Sequence, residues 1–487
     1  MITDELSFRI RQALCHEPTR EQAEAIEVFC RFMTDRSDRA VMVMRGCAGT
    51  GKTTLAGAFV RTLVALKQKV MLLAPTGRAA KVFSLTSGHE AYTIHRRLYR
   101  QKSFNGEDSS FSLNFNKYSD MLFMVDEASM IAGGEQTRLT MQDEHRLSFG
   151  SGHLLDDLIR FVYDGRNCRL LLTGDRAQLP PVGEEESPAL MREVLSGYGL
   201  KVYECDLNEV LRQSTESGIL YNATLIRNML GGDITMPRIR LQPFADIRVV
   251  PGDELIEQLN TSYSQVGLDE TIVVTRSNKR AGIYNMGIRN TILDREDELN
   301  GGDLLMVVKN NYYWVKPGEN GQQEEVVPMD FIANGDRAKV LKVRNVRELY
   351  GFTFADVLLQ FPDYNDYELL ATVNLDSLST DAPALTHEQS EELYRQVMDD
   401  YADIPLKADR LKKVREDLYY NALQVKFAYA VTCHKAQGGQ WEHVYIDQGY
   451  MTDDMLSPDY IHWLYTAFTR ATRKLFLVNW KNADNGQ

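Results

Sequence analysis

The chain has 487 residues, with 55 Lys and Arg against 68 Asp and Glu and a formal net charge of −13. Apolar residues make up 44% and charged residues 25%, an ordinary globular balance that argues against long disorder, and no apolar run approaches the roughly 18 residues of a membrane helix. At about 100–200 residues per domain, three domains are expected. The N-terminus, MITDELSFRI, has no apolar stretch fit for export. The six cysteines (15, 30, 47, 168, 205 and 433) include no CxxC pair, which rules out a zinc ribbon and argues against a disulfide framework. A cytoplasmic protein with reduced thiols is expected. The acidic total does not favour a nucleic-acid binder and does not exclude one, because a local groove decides binding.

Along the first 200 residues one unit recurs: a short apolar run, then polar residues with Gly or Pro, then a helical stretch. The runs are AVMVM (40–44), KVMLLA (69–74), MLFMV (121–125) and RLLLT (169–173). Such runs read as strands of a parallel sheet buried on both faces. Each distinctive polar motif starts near the C-terminal end of a run, the edge where ligands bind in open α/β sheets. Within this half, SFNGEDSSFSLNFNKY (103–118) carries an Asn105-Gly106 turn signal, and Phe111, Leu113 and Phe115 alternate with polar residues. A β-hairpin over about 98–119 is expected.

A second set of runs follows: TIVVT (271–275), FAYAV (427–431), HVYID (443–447) and KLFLV (474–478). Between them, 301–375 is rich in Val, Tyr and Phe with turns at Asn320-Gly321 and Asn334-Gly335-Asp336, and reads as a small β barrel or sheet. A charged helical stretch covers 386–422. The chain divides into a first α/β domain (1–215), a second (216–300 and 420–487) and an insert (301–419).

The sharpest chemical signal is GCAGTGKT, Gly46 to Thr53, between the 40–44 run and a helical stretch. It fits GxxxxGK[ST], in which backbone N–H groups and a helix N-terminus cradle phosphates. The expected nucleotide contacts are Gly46, Cys47, Ala48, Gly49, Thr50, Gly51, Lys52, Thr53 and Thr54. Lys52 would reach the β- and γ-phosphates and Thr53 would hold Mg²⁺. In VDEAS, Asp126 is placed to hold the metal and Glu127 to polarise the attacking water. Cys47 reads as a small residue filling a turn rather than a redox switch. LTGDRAQLPPVG (172–183) brings Gln178 toward the γ-phosphate. Arg212 in NEVLRQ and Arg470 in TAFTRAT would supply positive charge from two domains when these close. ATP and Mg²⁺ are therefore the expected cofactors.

The ordered set EQ (21–22), GCAGTGKT, APTGRAAK, TIH (93–95), DEAS, GDRAQLPPV, LRQ, TCHKAQG and LYTAFTRAT resembles the superfamily 1B helicases, typified by RecD-like and phage Dda-like DNA helicases. The motifs run from about residue 20 to 473. The resemblance implies two RecA-like P-loop motor domains with ATP between them, an SH3-like β-rich insert in the second and a β-hairpin in the first. It implies that Gln22 reads adenine, that Lys52, Glu127, Gln178, Arg212 and Arg470 act in catalysis, and that Thr53 and Asp126 ligate the metal. After HKAQG the chain reads Gly439-Gln440-Trp441, where the 1A branch places a Glu at position 440, so 1B, with 5′-to-3′ movement, is the better match.

A translocase must grip its strand without reading sequence. The candidates are Thr76, Thr93, His95, Thr432 and His434, with HRRLYRQK (95–102) as a basic patch for phosphates. The hairpin stays open between a strand-splitting pin, by family likeness, and a plain surface hairpin. Tyr312, Tyr313 and Trp314 read as core sooner than as a base platform. The expected partners are single-stranded DNA and duplex junctions, with a monomer as the active form and a place in replication, repair or recombination. A motor subunit of a recombination exonuclease and a P-loop nucleotide kinase are the competing classes.

Overall fold

The computed structural model describes residues 2–101, 111–134, 153–210, 216–232, 234–315, 329, 331–480 and 483–484. In the first motor domain the strands are β1 (Ala40–Gly46), β2 (Lys69–Ala74), β3 (Ala91–Thr93), β4 (Tyr99–Gln101), β5 (Phe111–Leu113), β6 (Met121–Val125), β7 (Arg169–Gly174) and β8 (Lys201–Leu207). Six of them form a parallel sheet in the order β3-β2-β6-β7-β1-β8. Alternation along each run decides which face a side chain serves. Val41, Val43, Phe123 and Leu170 point into one core with the helix Leu154–Asp164. Met42, Met44, Leu122 and Leu171 point into the other, with the helices Arg20–Thr34 and Lys52–Ala65. There Phe29 stacks on Phe59 at 3.9 Å. Burying one such side chain contributes about 1.5–3 kcal/mol. The strands β4 and β5 pair antiparallel, Tyr99 opposite Leu113, so the base of the expected hairpin is present. Its turn, with Asn105 and Gly106, lies outside the described residues.

The second motor domain holds β9 (Ile239–Arg240), β10 (Ile247–Val250) and β11 (Thr271–Thr275). The chain then enters β12 (Leu304–Val307), β13 (Arg337–Leu349), β14 (Phe352–Phe361), β15 (Tyr367–Asn374) and β16 (Leu423–Phe427), which close into a five-stranded barrel. It returns as β17 (Ala430–Thr432), β18 (Trp441–Asp447) and β19 (Ala471–Val478) to complete a parallel sheet, β10-β19-β18-β11-β17. The run FAYAV is therefore divided between two sheets. LQVKF alternates buried and half-buried positions as a barrel strand paired with β12, and AVT belongs to the motor sheet. Residues 423–427, placed in the second motor domain from sequence, pair within the barrel. The helices His387–Asp400 and Lys407–Glu416 pack Leu393, Val397 and Val414 on Phe352 and Phe354.

A buried ionic joint fixes the barrel to the second motor domain. Asp303, fully buried, accepts from Arg289 Nη2 at 3.0 Å, Arg295 Nη1 at 2.7 Å and the Tyr429 hydroxyl at 2.8 Å. Removing one partner of such a set leaves an uncompensated buried charge, so the joint favours one geometry. Tyr312 packs on Phe331 at 4.7 Å and Trp314 Nε1 donates to the Asn421 carbonyl, so both serve packing. Among the described residues, no helix is long and apolar enough to cross a membrane.

Candidate nucleotide site and nucleic-acid face

The phosphate loop leaves β1 at Gly46, where a side chain would press within 2.9 Å of Leu207 Cβ on β8. Gly49 and Gly51 have φ of +78° and +79°, a region costly for other residues. The helix Lys52–Ala65 starts directly after Gly51, so its first N–H groups point into the loop. Lys52 Nζ donates to the Gly46 and Cys47 carbonyls at 2.7 and 2.9 Å and lies 4.0 Å from Asp175 Oδ2. Gln22, fully buried, caps its own helix and donates to the Thr50 carbonyl at 3.0 Å, tying it to the loop. Burial raises the Cys47 thiol above its ordinary pKa, which suits the packing role read from sequence.

The acid pair follows β6. Asp126 Oδ1 accepts from the Thr173 hydroxyl and from the Glu127 N–H at 3.0 Å, which fixes the carboxylate against β7. Glu127 adopts a left-handed backbone with φ of +53°. Burial raises its carboxyl above the usual range; Asp126 and Asp175 reinforce the shift, while Arg470 and Lys52 oppose it. A carboxylate held that way is a stronger base at neutral pH. Gln178 is 6% exposed and its side-chain oxygen is buried without a hydrogen-bond partner, an amide poised for a polar ligand. The Thr53 hydroxyl and Asp126 carboxylate are hard oxygen donors. Mg²⁺ takes one or two carboxylates plus phosphates and water, so this pair fits it without a protein cage.

Arg470 comes from the second motor domain, 2% exposed. It donates to the carbonyls of Thr466 and Gly439 at 3.0 Å each, and its charge is felt at Glu127. Those hydrogen bonds stay within the second domain, and Arg470 bears on Glu127 through its charge. Arg212 lies outside the described residues. Sequence reasoning missed three residues between the lobes. Tyr465 reaches across the cleft, its hydroxyl accepting from Ala48 N–H at 2.9 Å and donating to Asp175 Oδ2 at 2.7 Å. Next to it, Thr466 Oγ1 accepts from Leu179 N–H at 2.7 Å, and Gln437 Nε2 donates to the Leu179 carbonyl at 2.8 Å. The adjacent polar stretch Asp175–Leu179 and the motif LYTAFTRAT were the available signals; within that motif Tyr465, on an apolar helix, did not stand out beside Arg470.

Along the same C-terminal edge of the sheet, Thr76 and Thr93 cap the helices after β2 and β3, accepting from Ala79 and Arg96 N–H at 3.2 and 3.3 Å. The second motor domain repeats the plan. Ser277 caps the helix after β11, and Thr432 stands at the helix after β17 without a side-chain cap. The pairing matches too: Ala74 lies opposite Thr93, and Thr275 opposite Thr432. Ser277 was missed, although SNKRAG after a strand was the signal. His95 packs beside Tyr99 and Phe331, and burial pushes its pKa down to about 4, so its ring is neutral near pH 7. Burial also lowers His434. In the basic patch, Arg97 lies 3.5 Å from the centre of the Tyr92 ring.

The two lobes and the barrel meet at Arg78. Its guanidinium donates to the Gln440 carbonyl and sits 4.9 Å from the Trp441 ring centre, while Arg337 of the barrel stands 5.9 Å from that ring.

Residues 17–229 match the family described as an AAA domain, and residues 427–478 match the UvrD-like helicase C-terminal domain. The ATP-dependent DNA helicase dda of Enterobacteria phage T4 is 25% identical over 296 residues, covering 59% of this chain and 60% of that protein. The ATP-dependent RecD2 DNA helicase of Deinococcus radiodurans is 33% identical over 143 residues, 29% of this chain and 16% of that protein. The match spans less than two thirds of either curated helicase. A Bacteroides Pif1 helicase solved with ADP-AlF3 and ssDNA aligns over 96% of this chain and 93% of its own, at 14% identity and a TM-score of 0.45.

Proposed function

We propose, from the matches to an AAA domain and a UvrD-like helicase C-terminal domain and the likeness to the dda and RecD2 helicases, that this superfamily 1B, RecD- and Dda-like chain is an ATP-dependent DNA helicase moving 5′ to 3′ along single-stranded DNA. The observation that carries the reading is the composite site: the phosphate loop and acid pair belong to one motor domain, while Arg470 and Tyr465 come from the other. A site divided this way responds to domain closure, and domain closure is what a translocase converts into steps.

In the proposed cycle the loop amides and Lys52 hold the β- and γ-phosphates, and Gln22 lies at the loop where a base would be read. Thr53 and Asp126 would hold Mg²⁺, which would supply charge neutralisation at the phosphates. Glu127 takes the proton of the attacking water. Gln178 registers the γ-phosphate, and Arg470, with Arg212, stabilises the charge that develops on the transferred group. On release of that group the lobes part, and the strand-end residues Thr76, Thr93 and His95 on one lobe and Ser277, Thr432 and His434 on the other exchange their hold on the strand. Duplex junctions are the substrate and an active monomer suffices. The hairpin at 98–119 is the element proposed to part the duplex.

Strand displacement on 5′-tailed and 3′-tailed duplexes, in DNA and in RNA, tests the reading. ATP-dependent opening of the 5′-tailed DNA alone is expected. Opening only from a 3′ tail would overturn the polarity, and no opening of any substrate would overturn the activity.

A further inference from the structure

Within the proposed motor reading, on which this inference rests, one buried polar group has no assigned part. Tyr465 is 1% exposed and lies on the helix Pro458–Phe468 of the second motor domain, surrounded by apolar neighbours. Packing alone would be served by phenylalanine. A buried hydroxyl is costly to desolvate and persists where it is hydrogen-bonded. Here both of its capacities are used, and both partners belong to the opposite lobe. Its oxygen accepts from Ala48 N–H, inside the phosphate loop, and its hydrogen goes to Asp175 Oδ2.

Asp175 is itself 2% exposed and is placed by three contacts. Its Oδ1 accepts from Ala177 N–H at 3.0 Å, holding the start of the GDRAQLPPV segment in a turn. Its Oδ2 receives the Tyr465 hydroxyl and stands 4.0 Å from Lys52 Nζ. Asp175 also adds to the negative potential at Glu127. One carboxylate oxygen thus faces the phosphate-binding ammonium and a hydroxyl from the far lobe. Movement of the far lobe that withdraws the hydroxyl changes the balance of charge beside Lys52 and frees a loop amide.

We infer that Tyr465 is a positioning residue that couples the seating of the second motor domain to the phosphate loop, acting through Asp175. It touches no substrate in this scheme. Its work is to set Ala48 N–H, Asp175 and, through it, Lys52 in the arrangement that the docked lobes share. The same helix supplies the Thr466 hydroxyl to Leu179 N–H, and His462 Nδ1 lies 3.0 Å from the Ala177 carbonyl. The segment from Asp175 to Leu179 is therefore read along its length by one helix of the other domain, and Tyr465 is the point where that contact enters the loop.

The test is a double-mutant cycle on the full chain with Tyr465→Phe, Asp175→Asn and the pair, measuring ATPase kcat and KM with and without an oligo-dT strand. Tyr465→Phe keeps the ring and removes only the hydroxyl. Its DNA-stimulated kcat should fall about tenfold, within the usual span of interdomain coupling, with ATP KM changed by less than about twofold. The pair should be no slower than Asp175→Asn alone, since the two act as one unit. Unfolding temperatures of all forms separate this from loss of fold. A wild-type kcat in Tyr465→Phe, or losses that multiply independently in the pair, would overturn the inference. A wild-type ATPase indifferent to DNA would refute the motor reading instead, and the cycle on the basal kcat would still decide the coupling.

Discussion

The two motor domains share a plan and differ in what they contribute. Both sheets end in hydroxyl residues at helix starts, Thr76 and Thr93 in the first, Ser277 and Thr432 in the second. In the first domain, however, the loop after β1 has the phosphate-binding pattern, with Lys52 and Thr53 at the start of the helix Lys52–Ala65 and Asp126 and Glu127 just after β6. The second sheet has no such loop among its described residues; Tyr465 and Thr466 of its last helix bond to Ala48, Asp175 and Leu179 of the first domain, while Arg470 bonds to Thr466 and Gly439 of its own. In the proposed cycle one lobe holds and the other acts upon what is held. The difference teaches why closure would matter in the proposed cycle: among the described residues, Arg470 of the second lobe is the charge proposed to join Lys52 of the first.

The sharpest way to break this contrast is Arg470→Ala. If the second domain supplies charge to the transferring group, kcat should fall by about 10³-fold or more while nucleotide binding persists. A smaller loss, about 10²-fold, is expected for Glu127→Gln, again with nucleotide binding retained, followed by equilibrium binding of a fluorescent analogue. Wild-type turnover in that variant would remove Glu127 as the base. Because burial raises the Glu127 carboxyl, the acid limb of the kcat–pH profile should lie above the ordinary carboxylate range.

Smaller effects separate the two sets of hydroxyls. Thr76 spends its hydroxyl on Ala79 N–H, and Thr76→Ala should cost about 1 kcal/mol of stability as well as affinity for single strands. Thr432 makes no such cap, so Thr432→Ala should weaken strand binding while stability stays within about 0.5 kcal/mol. Equal destabilisation by both would erase the distinction. A separate effect is that of pH on stability. His443, 1% exposed against Ser262, has its pKa pushed down to about 4 by burial. The unfolded chain takes up that proton near pH 6.5 and the folded one does not. Stability from this group is therefore complete above about pH 6.5 and is lost as pH falls toward 4. Thermal unfolding at pH 7 and pH 5 should show a shallower loss in His443→Asn than in the wild type.

The nucleotide site was legible where its chemistry needs contiguous residues. A phosphate cradle requires glycines at Gly49 and Gly51 for the left-handed turn and Lys52 at a fixed step, so the local string carries the structure. The parallel strands were legible because residues buried on both faces leave unbroken apolar runs. What stayed hidden depends on distance in sequence. Tyr465 reads as core because its neighbours are core, and only the fold sets it against Ala48, 417 residues away. Phe427, the last residue of the barrel strand Leu423–Phe427, merged with the next strand because the chain passes from barrel to motor sheet within two residues, without Gly or Pro to mark the change. The matching of Ser277 to Thr76 emerged from strand pairing, since the two helices share little sequence.

The most direct measurement is steady-state ATP hydrolysis with and without single-stranded DNA. A lobe that completes its neighbour's site only when docked, and docks on a strand held across both lobes, should be accelerated by about tenfold or more when the strand is added. A rate unchanged by DNA, with phosphate passed to a small acceptor instead of water, would contradict the account.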